Sequence, residues 1–225
     1  MGLSVVAISG GMDSCVTLAI ASAGGPVGGL HVKYGQRTEE RELRAFKAVA
    51  DHYGVESRLV VALDYLKKIG GSSLTDESRP IPRTEPRSGG VPSTYVPFRN
   101  AHVLSVAVSW AEAMGADSVY VGSVEEDSSG YPDCRAEFYD AFGAAVEAGT
   151  RPDTHIRIVT PLISMSKAEI VKKGIELNVP FGLTWSCYEP PVDEKACGLC
   201  ESCRLRIKGF KEAGARDPLS YAAMP

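Results

Sequence analysis

The sequence predicts an α/β fold: a parallel sheet with crossover helices on both faces, followed by a small cysteine-rich segment. Three observations lead there. Short β-branched runs alternate with helical stretches through most of the chain. A glycine-serine loop, Ser9-Gly10-Gly11-Met12-Asp13-Ser14, directly follows the first of those runs. Four of the six cysteines crowd into Cys187–Cys203.

The elements follow in order. Val5-Val6-Ala7-Ile8 reads as a buried strand, and Asp13 to Ala23 as a helix. Val27 to Val32 and Glu56 to Val61 are the second and third strands. Between them, Arg37–Tyr53 sets Leu43, Phe46, Val49, Ala50 and Tyr53 on one helical face. Gly70 to Pro97, rich in proline and glycine, has no apolar period and reads as a structureless lid or disordered segment. Arg99 to Met114 resumes as helix, Ser118–Val121 as strand, Ala136–Ala148 as helix and Arg157–Val159 as a short strand. Ser166 with Glu169 forms a capping box for the next helix. Strands separated by helices require parallel pairing through crossovers. The division expected is a main domain over 1–180 and a metal-binding segment over 181–225.

Length and composition bound the function. At 225 residues, 44% apolar and 23% charged, the chain can bury a core as one domain with an appendage. A net charge of −4 argues against a nucleic-acid-coating surface. No apolar run is long enough for a bilayer, and Met1-Gly2-Leu3-Ser4 passes straight into a strand, leaving no signal peptide to read. The expectation is a cytoplasmic protein without membrane or nucleic-acid partners.

The Ser9–Ser14 loop sits where a parallel sheet binds ligands, at the C-terminal end of a strand. Gly10 and Gly11 free the backbone and leave room for an anion, towards which the following helix aims its N–H groups. Ser9 and Ser14 can add hydroxyl donors, and Asp13 can cap the helix or hold magnesium. A bare Gly-Gly pair would be turn punctuation; serines, aspartate and strand-first position together favour phosphate binding. The loop lacks the Gly-Lys-Ser/Thr of a Walker site and the spacing of a dinucleotide fingerprint. It resembles the Ser-Gly-Gly-x-Asp-Ser signature of the PP-loop ATP pyrophosphatases. That resemblance implies a Rossmann-like fold of the adenine nucleotide alpha-hydrolase type, with Ile8, Ser9, Gly10, Gly11, Met12, Asp13, Ser14 and Cys15 spanning the nucleotide site.

Cys197-x-x-Cys200-x-x-Cys203 with Cys187 supplies four thiolates, the ligand set of a closed structural zinc site. The same triplet spacing occurs around iron–sulfur clusters, so spacing alone leaves both open. Zinc is expected, with the role of folding its segment. Cys15 and Cys134 stand apart and are expected to pack in the interior.

Two polar segments remain: Pro92–Asn100, and Gly122–Cys134 after the fourth strand. Tyr95, Arg99 and Asn100 belong to the first. In the second, Asp127 or Asp133 can accept paired N–H donors from a guanine-like edge, and Tyr131 can stack on a base. Loop solubility and simple helix entry would account for either segment alone. Their placement beside the phosphate loop favours substrate binding.

Taken together, the loop, Pro92-Ser93-Thr94-Tyr95-Val96-Pro97 with Arg99-Asn100, Ser129-Gly130-Tyr131-Pro132-Asp133-Cys134-Arg135, Pro161-Leu162, Lys167-Ala168-Glu169 and Cys187-Tyr188 with the cysteine triplet resemble the 7-cyano-7-deazaguanine synthase family of queuosine precursor synthesis. One departure is Phe98, where a small residue is expected before Arg-Asn. The resemblance implies an ATP-dependent carbon–nitrogen ligase acting on 7-carboxy-7-deazaguanine and ammonia with magnesium, and a homodimer. It casts Asp13, Lys167 and Arg99 as catalytic: magnesium neutralises charge near Asp13, and Lys167 and Arg99 stabilise phosphate or the substrate carboxylate. A PP-loop relative with another acceptor, or a zinc-stabilised nucleotide sensor without turnover, are the competing classes.

Overall fold

The computed structural model describes residues 2–83, 90–125 and 130–224. Five parallel strands form one sheet: β1 (Ser4–Ala7), β2 (Val27–Lys33), β3 (Arg58–Ala62), β4 (Ser118–Val121) and β5 (Arg157–Val159), in the order β3-β2-β1-β4-β5. In register, Ala7 lies between Leu30 of β2 and Val121 of β4. The chain leaves β1 in one direction for β2 and β3, then crosses back to place β4 on the other side. That reversal opens a crevice beyond the C-terminal ends of β1 and β4.

Alternation along β1 divides the interior into two cores. Val6 and Ile8 join one layer with Val16 and Leu18 of α1 (Met12–Gly24), Phe46 and Val49 of α2 (Glu39–His52), Ile170 of α6 (Lys167–Glu176) and Phe210 of α7 (Glu201–Glu212). Val5 joins the other, with Leu104 and Ala107 of α4 (Arg99–Met114) and Tyr139 and Val146 of α5 (Ala136–Gly149). Period-2 pleating requires this split, and burial on both faces explains why β1 is apolar without alternating. The capping box is present: the Ser166 hydroxyl accepts from Glu169 N at 3.3 Å, and Glu169 Oε2 accepts from Ser166 N at 2.8 Å.

The described part of Gly70–Pro97 corrects the expectation of a structureless segment. It lacks strands and helices, yet Leu74, Ile81 and Val96 are buried in a third core with Trp185, Cys187 and Cys200. Hydrogen bonds replace regular structure there. Ser73 N donates to Ser93 O at 2.8 Å, the Ser72 hydroxyl to Thr94 O at 3.1 Å, and Arg37 Nε to Ser73 O at 2.9 Å. Glycines and prolines that forbid a ladder also permit tight turns, so polarity here marks a packed irregular unit. The short helix α3 (Tyr65–Ile69), invisible as a periodic pattern, precedes it.

The C-terminal segment is tied down by Arg206, which is 1% exposed. Its guanidinium donates to Asp217 at 2.8 and 2.9 Å, to the Thr184 hydroxyl at 2.6 Å and to Phe181 O at 3.0 Å. A buried charge is tolerable only with such pairing and full hydrogen bonding. Among the described residues, no helix is long and apolar enough to cross a membrane.

Candidate active site and metal centre

The loop after β1 is built from its own hydroxyls. Gly11 N donates to Ser9 Oγ at 3.2 Å, Ser9 Oγ to Ser14 Oγ at 3.1 Å, and Ser14 Oγ to Gly11 O at 3.0 Å. Gly10 adopts φ +89°, a conformation that favours glycine. A Cβ there would sit 2.7 Å from the Glu42 carbonyl oxygen and 2.9 Å from Ala45 Cβ. The Gly10 carbonyl accepts from Trp185 N at 2.8 Å, anchoring the loop to the C-terminal segment. Gly10→Ala is therefore expected to destabilise the fold by about 2–4 kcal/mol, from backbone strain plus overpacking, and to raise KM for ATP. Thermal unfolding with ATP titration measures both.

Asp13, in the first turn of α1, pairs through Oδ2 with Lys167 Nζ at 2.9 Å. Its Oδ1 is buried and has no hydrogen-bond partner among the described residues. Lys167 is placed by packing: a Cβ on Gly209 of α7 would lie 2.7 Å from Lys167 Cβ, so α7 runs hard against the start of α6.

Above the loop lies a cavity of about 280 Å³. Ile8, Ser9, Gly11, Met12, Asp13 and Ser14 form its floor, and Gly122–Val124, following β4, form an adjoining wall. Gly10 and Cys15 do not line it. Cys15 is fully buried in the core, and burial pushes its thiol up to about 12. Arg99 and Tyr131 do face the cavity. Arg99 Nη1 donates to the Tyr34 hydroxyl at 3.1 Å, and its guanidinium lies 5.3 Å from the Tyr34 ring centre. Burial works against the Arg99 charge, but Tyr34, Cys134 and Asp133 outweigh it and hold the group above the usual arginine value. Burial also pushes Tyr34 up to about 12 despite the nearby Arg99.

Other expected substrate residues shape this wall from behind. Asn100 lines the cavity, but its N donates to Asp133 Oδ2 at 2.9 Å and its Nδ2 to Asp133 O at 2.8 Å. Asp133 is 2% exposed and does not line the cavity. Tyr95 lies outside the lining as well. Its hydroxyl accepts from Phe98 N at 2.8 Å and its ring packs 5.7 Å from that of Tyr131. Phe98 has φ +56°, which explains why a small residue is expected there; a bulky side chain in that region is strained by about 1–3 kcal/mol. Lys167 does not line the cavity and meets it through Asp13. Asp127 lies outside the described residues.

Tyr34, Gln36, Arg37, Glu42, Trp185, Tyr188 and Ser202 also line the cavity, and none was anticipated. Tyr34–Arg37 follow the end of β2, so the strand-end rule applied to the second strand would have found them. Tyr188 and Ser202 had no such signal. They adjoin the cysteines, and only folding of that segment turns them inward.

Cys187, Cys197, Cys200 and Cys203 place their sulfurs within 4.8 Å of one another, with Cys197 and Cys203 at 3.9 Å. Tetrahedral thiolates at zinc-like bond lengths lie about 3.8 Å apart. Glu189 N and Cys197 N donate to Cys187 Sγ, and Leu199 N and Cys200 N to Cys197 Sγ, each at 3.3 Å. Backbone donors of this kind stabilise thiolates. The quartet fits one metal ion with no position left for water.

Comparison with known proteins gives the family. A family model described as "Queuosine biosynthesis protein QueC" matches residues 3–214. Proteins called 7-cyano-7-deazaguanine synthase from Chlorobium phaeobacteroides and Chlorobium chlorochromatii are 56% and 54% identical to it. Both alignments span 223 residues, 99% of this chain, and cover 98% and 97% of those proteins. Among solved structures, an NMN synthetase from Francisella tularensis overlays loosely, with a TM-score of 0.46 at 12% identity over 100% of this chain and 89% of that one. A match over nearly the whole length, with the loop, the polar strand-end segments and the cysteine quartet in place, makes this chain a member of the QueC family of queuosine biosynthesis proteins.

Proposed function

We propose that this chain is an ATP-dependent ligase that converts 7-carboxy-7-deazaguanine and ammonia into 7-cyano-7-deazaguanine. The observation that carries the reading is a cavity with the Ser9–Ser14 loop as its floor and Arg99 on its wall. A free carboxylate is a poor electrophile. Attack of its oxygen on the α-phosphate of ATP gives an acyl adenylate and releases pyrophosphate. Ammonia then displaces AMP to form an amide. A second adenylation, on the amide oxygen, followed by loss of AMP, leaves the nitrile.

The chain's part is positioning and charge stabilisation. The N-terminus of α1, the loop amides, Ser9 and Ser14 hold the departing pyrophosphate. Arg99 takes the substrate carboxylate and Tyr131 offers a ring to the deazapurine. Tyr95, Asn100 and Asp133 hold those two in place, and Asp127 completes the substrate segment. Asp13, with one buried oxygen unpartnered among the described residues, suits a magnesium ion, which would offset charge on the phosphates. Lys167 adds a cation on the other Asp13 oxygen.

Zinc is the metal assigned to the cysteine quartet, because a multi-iron cluster would spread its thiolates wider than this spacing. On this reading residues 1–180 carry the chemistry, and 181–225 form the zinc segment. The working form is a cytoplasmic homodimer acting on small molecules rather than nucleic acid or membrane.

Incubation with 7-carboxy-7-deazaguanine, ATP, magnesium and ammonium, followed by mass spectrometry, tests the reading. A nitrile accompanied by AMP is expected. ATP splitting without nitrile would move the chain to another acceptor, and no ATP consumption would end the ligase reading.

A further inference from the structure

Ammonium becomes a nitrile nitrogen only by shedding every proton it carries, so the cavity needs a proton acceptor close to the reacting carbonyl. Two carboxylates line it among the described residues, Asp13 and Glu42. Asp13 is committed to Lys167 at 2.9 Å. Glu42, in the first turn of α2, has no cation within ion-pair distance among the described residues. Neutral groups steady it instead: Thr38 Oγ1 donates to Oε1 at 2.5 Å and Gln36 Nε2 to Oε2 at 2.9 Å. An ionised carboxylate offers about four acceptor sites, so these two bonds orient the group and leave capacity for a donor from the cavity.

From this geometry we infer that Glu42 binds the incoming ammonium and takes its proton as the nitrogen attacks the adenylated carbonyl. The reading rests on the ligase assignment above. One N–H bond breaks with its proton passing to a Glu42 oxygen, and the freed nitrogen lone pair forms the C–N bond. The carbonyl–oxygen bond to AMP then breaks with its electrons leaving on the phosphate. The surplus proton on nitrogen and the one held by Glu42 pass to solvent. Placement suits this sequence, because Arg99, the guanidinium assigned to the substrate carboxylate, lines the same cavity as Glu42. Burial raises the affinity of Glu42 for a proton, while Thr38, Gln36 and Arg99 hold it down and Glu39 on the same helix adds to the rise. A base drawn towards the working pH is the more effective acceptor.

Glu42 also organises the turn into α2, and a purely structural role is the competing account. Glu42→Gln separates the two when ammonium is compared with hydroxylamine, a nucleophile that is uncharged at neutral pH. Acid-dependent AMP release and hydroxamate formation are expected to stay within a few-fold of the parent. Amide formation from ammonium is expected to fall by about 100-fold or more, with a raised KM for ammonium. If both nucleophiles lose rate together, or ammonium dependence is unchanged, the inference is overturned. Should E42Q not fold, judged by circular dichroism, Glu42→Asp withdraws the carboxylate by one methylene and is read by the same pair of reactions. If the parent protein itself releases no AMP with the acid, the ligase assignment fails instead.

Discussion

Chelation of the metal, or Cys200→Ser, is expected to lower stability by at least about 3 kcal/mol and Tm by about 6–12 °C. It is also expected to abolish nitrile formation. Cys200 is fully buried in the same apolar cluster as Trp185, Leu74 and Val96, so a lost ligand opens a core as well as a metal site. The catalytic consequence follows from what this segment touches. Trp185 N holds the Gly10 carbonyl at 2.8 Å, Tyr188 and Ser202 line the cavity, and Gly209 of α7 sets the position of Lys167. A closed four-thiolate site performs no chemistry of its own, yet its removal loosens three walls of a site that does. Metal content by mass spectrometry, with calorimetry on the same samples, tests this. An unchanged Tm after complete metal removal would separate the quartet from the fold.

Lys167→Met should lower kcat by about 100-fold to 1,000-fold, the range found when one preorganised donor is removed from developing charge. The structural basis is the 2.9 Å pair with Asp13 Oδ2, in the first turn of the helix proposed to hold the phosphates. Without the cation, the partly buried Asp13 carboxylate would repel phosphates held at the proposed site. Asp13→Asn is expected to lose a similar amount, and the double variant should be little worse than the poorer single one, because the two groups act as a unit. Steady-state kinetics on the three variants measures this coupling. Additive losses would mean that Lys167 and Asp13 serve separate steps.

Local sequence carried most of the elements. Val5–Ile8 is apolar without alternation because both faces of a central parallel strand are covered, and the observed β1 falls within a residue of it. The α2 stripe of Phe46, Val49 and Ala50 was visible as a period, and these residues are buried as that period requires. The Ser166–Glu169 capping box announced α6 by its chemistry alone. The cysteine spacing named its own quartet, since ligands a few residues apart meet through the turn between them.

Gly70–Pro97 was the main failure. In its described part Ser73 O accepts from Arg37 Nε and Ser73 N donates to Ser93 O, farther along the same segment, so no short window contains the reason those residues pack.

The candidate site divides along the same line. The Ser9–Ser14 loop, which lines the cavity, could be singled out because its signature is made of consecutive residues. Glu42, Tyr34, Tyr188 and Ser202 could not, because they come from separate stretches brought together at one sheet edge. Asp133 and Asn100, polar residues that suggested ligand binding, bond to each other, and of the two Asn100 also lines the cavity. Spacing along the chain determined the elements, the loop after β1 and the cysteine quartet, since each depends on neighbours within a turn or two. Which side chains face the cavity was settled by strand order and by the packing of the cysteine segment against the loop, both set by contacts between residues far apart in sequence.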